Sequence, residues 1–183
     1  MRYLPLSIAL ATVALLSGCG PTLSLHPAYT EKDLVSDLPL EGQWKEAEDQ
    51  EVWTISKYGN GFEASAPASS DPEKVLLHEF RLGDVRFLDI TSKDTPSLAL
   101  PAHMIARVWT EKEELRIQVL DSEWLRQKIR DTGVPHLEVE DEQVILTAPT
   151  PDLQKFVLLY AAEPKAYESD VGKFQRVRPG PAR

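Results

Sequence analysis

From Leu40 onward the apolar residues recur at alternate positions, and turn-forming residues interrupt them roughly every ten positions. Alternation of this kind buries one face of a strand and leaves the other for solvent or for a second layer. A series of such strands folds as a β-sandwich or barrel. Strands are expected over residues 40–45, 52–58, 62–66, 75–82, 85–91, 103–110, 114–120 and 173–177, with a short pair at 137–139 and 143–147. Gly59-Asn60-Gly61 and Gly83-Asp84 mark hairpin turns, and the first needs positive φ. Over 114–120, Leu115, Ile117 and Val119 share one face while Arg116 and Gln118 take the other.

Two helices interrupt the sheet. Asp121 is a good N-cap for residues 122–131, where Leu125 and Ile129 stand four apart and Gly133 ends the run. Thr150 is placed to cap a second helix that has Pro151 at its first position. Leu153, Phe156, Val157 and Tyr160 then form an apolar stripe reaching about Ala162. The expected class is mainly β, a β-rich α+β fold. The expected arrangement is an antiparallel meander forming a barrel, closed or partly open, with two short helices near the C-terminal third.

The N-terminus reads as an address. Met1-Arg2 is followed by an apolar run from Leu4 to Leu16, too short to span a bilayer as a helix but suited to a secretory signal. Leu16-Ser17-Gly18-Cys19 then places small residues before the chain's single cysteine. This segment resembles the bacterial lipobox. The resemblance implies diacylglycerol transfer to the Cys19 sulfur, cleavage before Cys19 and acylation of the new amine, so that the partner is a membrane held through acyl chains. Gly20 stands where the enteric sorting rule places Asp for inner-membrane retention, which implies an outer-membrane address facing the periplasm. Loss of Arg2 with the signal takes the formal charge from −9 to about −10, so lipid rather than charge must do the anchoring. The expected organisation is a signal peptide at 1–18, a lipid-anchored flexible tether at 19–37, one β-rich domain at 38–178 and a disordered tail at 179–183. A free tether of that length averages about 25 Å in reach.

Further segments resemble a widespread group of small bacterial lipoproteins that has no assigned activity. They include His26-Pro27-Ala28-Tyr29, Leu40-Glu41-Gly42-Gln43-Trp44, Leu100-Pro101-Ala102-His103, Leu120-Asp121-Ser122-Glu123-Trp124 and Leu146-Thr147-Ala148-Pro149. The similarity runs over nearly the whole mature chain and bears on architecture and address.

Gly42-Gln43-Trp44 opens the first strand of the domain, as a Gly-x-Trp does in lipocalin-like barrels. There an Arg from a late strand packs over the indole and closes the barrel, a part that Arg176 or Arg178 could take here. Trp53, Phe62, Phe80, Phe87, Met104 and Trp109 are candidates for the interior, which either holds a small apolar ligand or fills with side chains.

His26, His78, His103 and His136 show no metal-ligand spacing, and one cysteine excludes a disulfide or a cysteine-based zinc site. His103 begins a strand and is the one candidate for a polar site, with capping or a core hydrogen bond as the simpler role. Asp84 and Asp89 bracket a strand at odd spacing, which puts them on opposite faces. Gly-x-Ser-x-Gly and Ser-x-x-Lys are absent, and nothing calls for a cofactor. With 29 acidic residues against 20 basic ones, the chain repels phosphate backbones, which argues against nucleic acid as a partner. A basic tail from Gly172 to Arg183 is read as a frayed terminus or a contact for anionic lipid or cell wall. The expected role is an accessory protein of the cell envelope, binding a small apolar ligand or a protein partner, with no catalytic residues assigned. The alternatives are an enzyme acting on an envelope component and a purely interacting protein using an exposed Phe156/Tyr160 patch.

Overall fold

The computed structural model describes residues 22–47, 51–66, 74–94, 100–138 and 144–177. Its first strand, β1 (Leu23–Ser24), lies outside the barrel. The barrel begins with β2 (Gly42–Glu46) and runs through β3 (Val52–Tyr58), β4 (Gly61–Ser65), β5 (Lys74–Leu82), β6 (Val85–Ser92), β7 (His103–Glu111) and β8 (Glu114–Val119) as an antiparallel meander. Helix α1 (Ser122–Thr132), strands β9 (His136–Glu138) and β10 (Val144–Leu146), and helix α2 (Thr150–Tyr160) follow. The final strand, β11 (Gly172–Arg176), inserts between β8 and β2 and closes the ring. An even number of barrel strands lets every neighbouring pair, including the closing one, run antiparallel. The result is a closed eight-stranded antiparallel barrel with two helices, consistent with a lipocalin-like barrel.

Alternation sorts the side chains into two cores. Trp44 opposite Trp53, Ile55 opposite Ala64, and Leu115 opposite Phe174 point into the barrel. With Leu38, Leu40, Leu77, Leu88 and Val108 they form one contiguous buried cluster in its interior. The other faces of β5, β6 and β7 supply Phe80, Phe87 and Ile105 to a second core outside the barrel. Helix α1 adds Leu125 and Ile129, helix α2 adds Leu153, Phe156 and Val157, and β10 adds Val144 and Leu146. Each large aliphatic or aromatic side chain so buried stabilises by about 1.5–3 kcal/mol, which is why α2 survives without a side-chain cap.

The caps divide. Asp121 accepts a hydrogen bond from the Trp124 amide at 2.7 Å, and Gly133 ends α1 at φ 66°. Thr150 does not cap α2. The helix begins at that residue, and its hydroxyl donates to the Pro27 carbonyl at 2.9 Å. Phe156 is buried, and Tyr160 packs edge-on against both Phe156 and Trp124. The expected exposed patch on that helix is therefore part of the core. Leu158 and Leu159 are the exposed apolar residues of α2 instead.

Of the expected flexible tether at 19–37, the described part, from Thr22 on, packs against the barrel. β1 pairs antiparallel with β7 and parallel with β10, which pairs with β9. These three strands extend the sheet from β7, with one parallel pair in an otherwise antiparallel fold. Thr22, Ser24 and Ala28 are buried. The Val35 amide donates to the Glu79 carbonyl at 3.0 Å, and the Arg81 amide donates to the Asp33 carbonyl at 2.9 Å. Gln154 donates to the Asp33 carboxylate at 2.7 Å. The ordered domain thus takes in residues from Thr22, not from Leu38, because this segment supplies apolar cover and backbone partners to β5, β7 and α2. Cys19, Arg178, the expected acidic turn at 140–142 and the tail at 179–183 lie outside the described residues.

Candidate functional site

At one end of the barrel, Trp44 and Arg176 face each other from paired positions of β2 and β11. The guanidinium lies 4.6 Å from the indole centroid. Its two terminal nitrogens donate to the Glu41 carbonyl, at 2.7 Å, and to the Pro39 carbonyl. The indole Nε1 donates to the Leu40 carbonyl at 2.7 Å. The cation and the ring thus clamp the chain as it crosses the barrel mouth. Gly42 is needed here, since its φ is +131° and a Cβ would stand 2.7 Å from an Arg176 nitrogen. An open hollow of about 760 Å³ lies over this clamp, lined by Pro39, Lys112, Glu113 and Gln175 among others. Just inside the same mouth, the buried Glu79 carboxylate accepts from the Leu38 amide at 3.2 Å and lies 3.8 Å from Arg86 Nε. Burial pushes its carboxyl above the usual range, against the pull of the Leu38 amide and Arg86.

The polar site lies on the outside of the barrel. His103 opens β7, and its Nδ1 is 2.8 Å from Asp89 Oδ1 on β6. Asp89 is fully buried, and its Oδ2 has no hydrogen-bond partner among the described residues. His78 sits directly opposite Asp89 in the β5–β6 ladder. Tyr29 from the docked N-terminal segment stacks on His78, with centroids 5.3 Å apart. Burial pushes the His78 imidazole below its usual pKa, with His103 adding repulsion and Asp89 opposing both. Burial, and secondarily the Asp89 charge, pushes the Tyr29 phenol up to about 12. His78 Nε2 reaches the Asn60 side chain at 3.2 Å, beside Gly61, where a Cβ would stand 2.4 Å from the Leu77 carbonyl.

A carboxylate that orients an imidazole can make it a general base. Ser24 stands opposite His103 in the β1–β7 pair, so a serine, a histidine and an aspartate meet on one face. Ser24 is fully buried, and its hydroxyl donates to the His26 carbonyl at 2.8 Å. It therefore offers no accessible nucleophile. The arrangement holds the N-terminal segment on the barrel and keeps one imidazole edge partly exposed.

The structure brings Trp44 to Arg176 and His103 to Asp89. Asp84 takes no part in the latter pair. The roles of His78 and Tyr29 were missed, although the Gly83-Asp84 turn implies that His78 and Asp89 lie opposite one another. An open groove of about 470 Å³ between α1 and the Pro164–Ala166 turn is lined by Asp121, Trp124, Tyr167 and Glu168. Arg107 lies 4.3 Å from the Tyr167 ring beneath it. Among the described residues no group of His, Cys, Asp and Glu could hold a metal ion, and no helix is long and apolar enough to cross a membrane. No family model matches the chain, and neither curated proteins nor solved structures give a match.

Proposed function

We propose that this protein is a lipid-anchored component of the bacterial cell envelope, held at the outer membrane on its periplasmic side by acyl chains on Cys19. Its barrel serves as a rigid contact domain for another envelope protein. The observation that carries this reading is the docking of residues 22–37 on the barrel. Thr22 is only three residue steps from Cys19, so the chain between them spans at most about 11 Å. A leash of that length keeps the domain at the bilayer surface, where its partners would share the same plane.

The packed cluster in the barrel interior supports contact over carriage of a small apolar ligand. Carriage is the alternative that the barrel fold leaves open. Cys19→Ala tests the anchor. The variant should lose acyl labelling and move from the membrane to the soluble periplasmic fraction; labelling that survives the substitution overturns the reading.

An enzyme acting on an envelope component is a second reading, and it draws on the Asp89–His103 pair. A His103→Asn strain with unchanged envelope composition removes it.

A further inference from the structure

Among the described residues, the sheet extension beyond β7 has one face without charge. Four residues stand in a row across it: Met104 opposite Leu23, Leu23 opposite Ile145, and Ile145 opposite Leu137. The ladders continue by one bond each, from the Leu25 amide to the Leu146 carbonyl and from the Thr147 amide to the Pro135 carbonyl. Alternation then brings Leu25 and Pro135 to the same side. His103, His136 and Glu138, the ionisable residues at the paired positions of this extension, alternate to the opposite side. That opposite side carries Val144 and Leu146 into the core against both helices. The row spans three strand spacings, about 14 Å. None of its members is fully buried, and Leu137, at the outer edge, is 54% exposed.

We infer that this face lies on the lipid bilayer. The inference rests on the lipid anchor proposed above. Leu23, in the middle of the row, is four residues from Cys19, so it can stand no further than about 14 Å from the acylated sulfur-bearing residue. Acyl chains buried in one leaflet therefore hold this part of the sheet near the headgroup boundary, and of its two faces the helix layer covers the other, which leaves this one to meet the headgroups. An uncharged apolar surface gains by burial there, whereas a charged one loses. The formal charge of about −10 on the mature chain leaves apolar contact, not attraction to anionic lipid, as the force that seats it.

The test uses the full lipidated chain in vesicles of phosphatidylethanolamine and phosphatidylglycerol. Acylation occupies the Cys19 sulfur, so an environment-sensitive fluorophore attaches only to a cysteine introduced by Leu137→Cys or, as control on α2, Leu159→Cys. Flotation first shows whether the protein is anchored, and circular dichroism shows that both variants fold. The label at 137 should shift to shorter wavelength and lose emission to a nitroxide-bearing lipid, while the label at 159 keeps its emission. Flotation with equal, unquenched emission at both sites overturns the membrane face and leaves the anchor standing. Flotation with a blue shift at 137 but no lipid quenching means that a second copy or another protein covers the face, and overturns it too. Failure to float overturns the anchor and the membrane face together.

Discussion

The Arg176 guanidinium lies 4.6 Å over the Trp44 indole while donating to the carbonyls of Glu41 and Pro39. One side chain thereby fixes the last barrel strand, the first barrel strand and the segment that crosses the mouth. Arg176→Ala is expected to cost about 1–2 kcal/mol, from a partly exposed cation–π contact and two backbone hydrogen bonds. Arg176→Lys should recover little of it, because an ammonium cannot fork between two carbonyls while covering a ring. Urea unfolding monitored by tryptophan fluorescence measures both; equal stability of the Lys variant and the native chain would falsify the forked role.

The interior cluster makes a second prediction. Leu115 is 1% exposed within it, so Leu115→Ala should cost about 2–5 kcal/mol. The soluble Cys19→Ala protein should have the same mass under native and denaturing conditions. A tightly held extra mass in the native spectrum would restore the ligand-carrying reading.

Docking of the N-terminal segment can be tested by truncation. Removing residues through Leu25 takes away β1 and leaves the edges of β7 and β10 unpaired. The truncated domain should unfold at lower urea and aggregate more readily than one that retains these residues. Identical unfolding curves would show that the segment is a passive tether after all.

His78 gives the N-terminal contact a pH dependence. Its folded-state pKa is held down by burial, so the folded protein binds fewer protons there than the unfolded chain. Its contribution is present above the unfolded value near 6.5 and is lost as the pH falls through the folded one. The groups facing it are Asp89, His103, Tyr29 and Asn60. Between pH 7 and pH 5 the stability of a His78→Gln variant should therefore fall less steeply than that of the native chain. Parallel slopes in urea titrations across that range would count against the effect.

Glu79 behaves with the opposite sign. Burial raises its folded-state pKa, so the folded protein holds a proton more tightly than the unfolded chain, and stability is lost as the pH rises through that value. Glu79→Gln keeps an acceptor for the Leu38 amide and removes the charge. It should be more stable than the native chain at pH 8, with the difference narrowing toward pH 4. A less stable Gln variant at pH 8 would instead make the ion pair with Arg86 the stronger effect.

What the sequence determined by itself was local. Alternation set which residues of each strand share a face, and Asp121 and Gly133 set the limits of α1. The two-residue turn at Gly83-Asp84 fixes the whole β5–β6 register, and with it the pairing of His78 with Asp89 and of Phe80 with Phe87. These follow from short-range geometry, in which a turn of given length leaves one pairing open.

The tertiary structure decided what depends on residues far apart in the chain. The link between β6 and β7 is too long to fix a register, so nothing local brings His103 to Asp89. Thr150 had two partners within reach, and the Pro27 carbonyl, more than a hundred residues away, took its hydroxyl in place of the helix end. The segment from Thr22 to Asp37 has little periodicity of its own, yet it is ordered, because β7, β5 and α2 offer backbone partners and apolar surface that exist only once the barrel has closed.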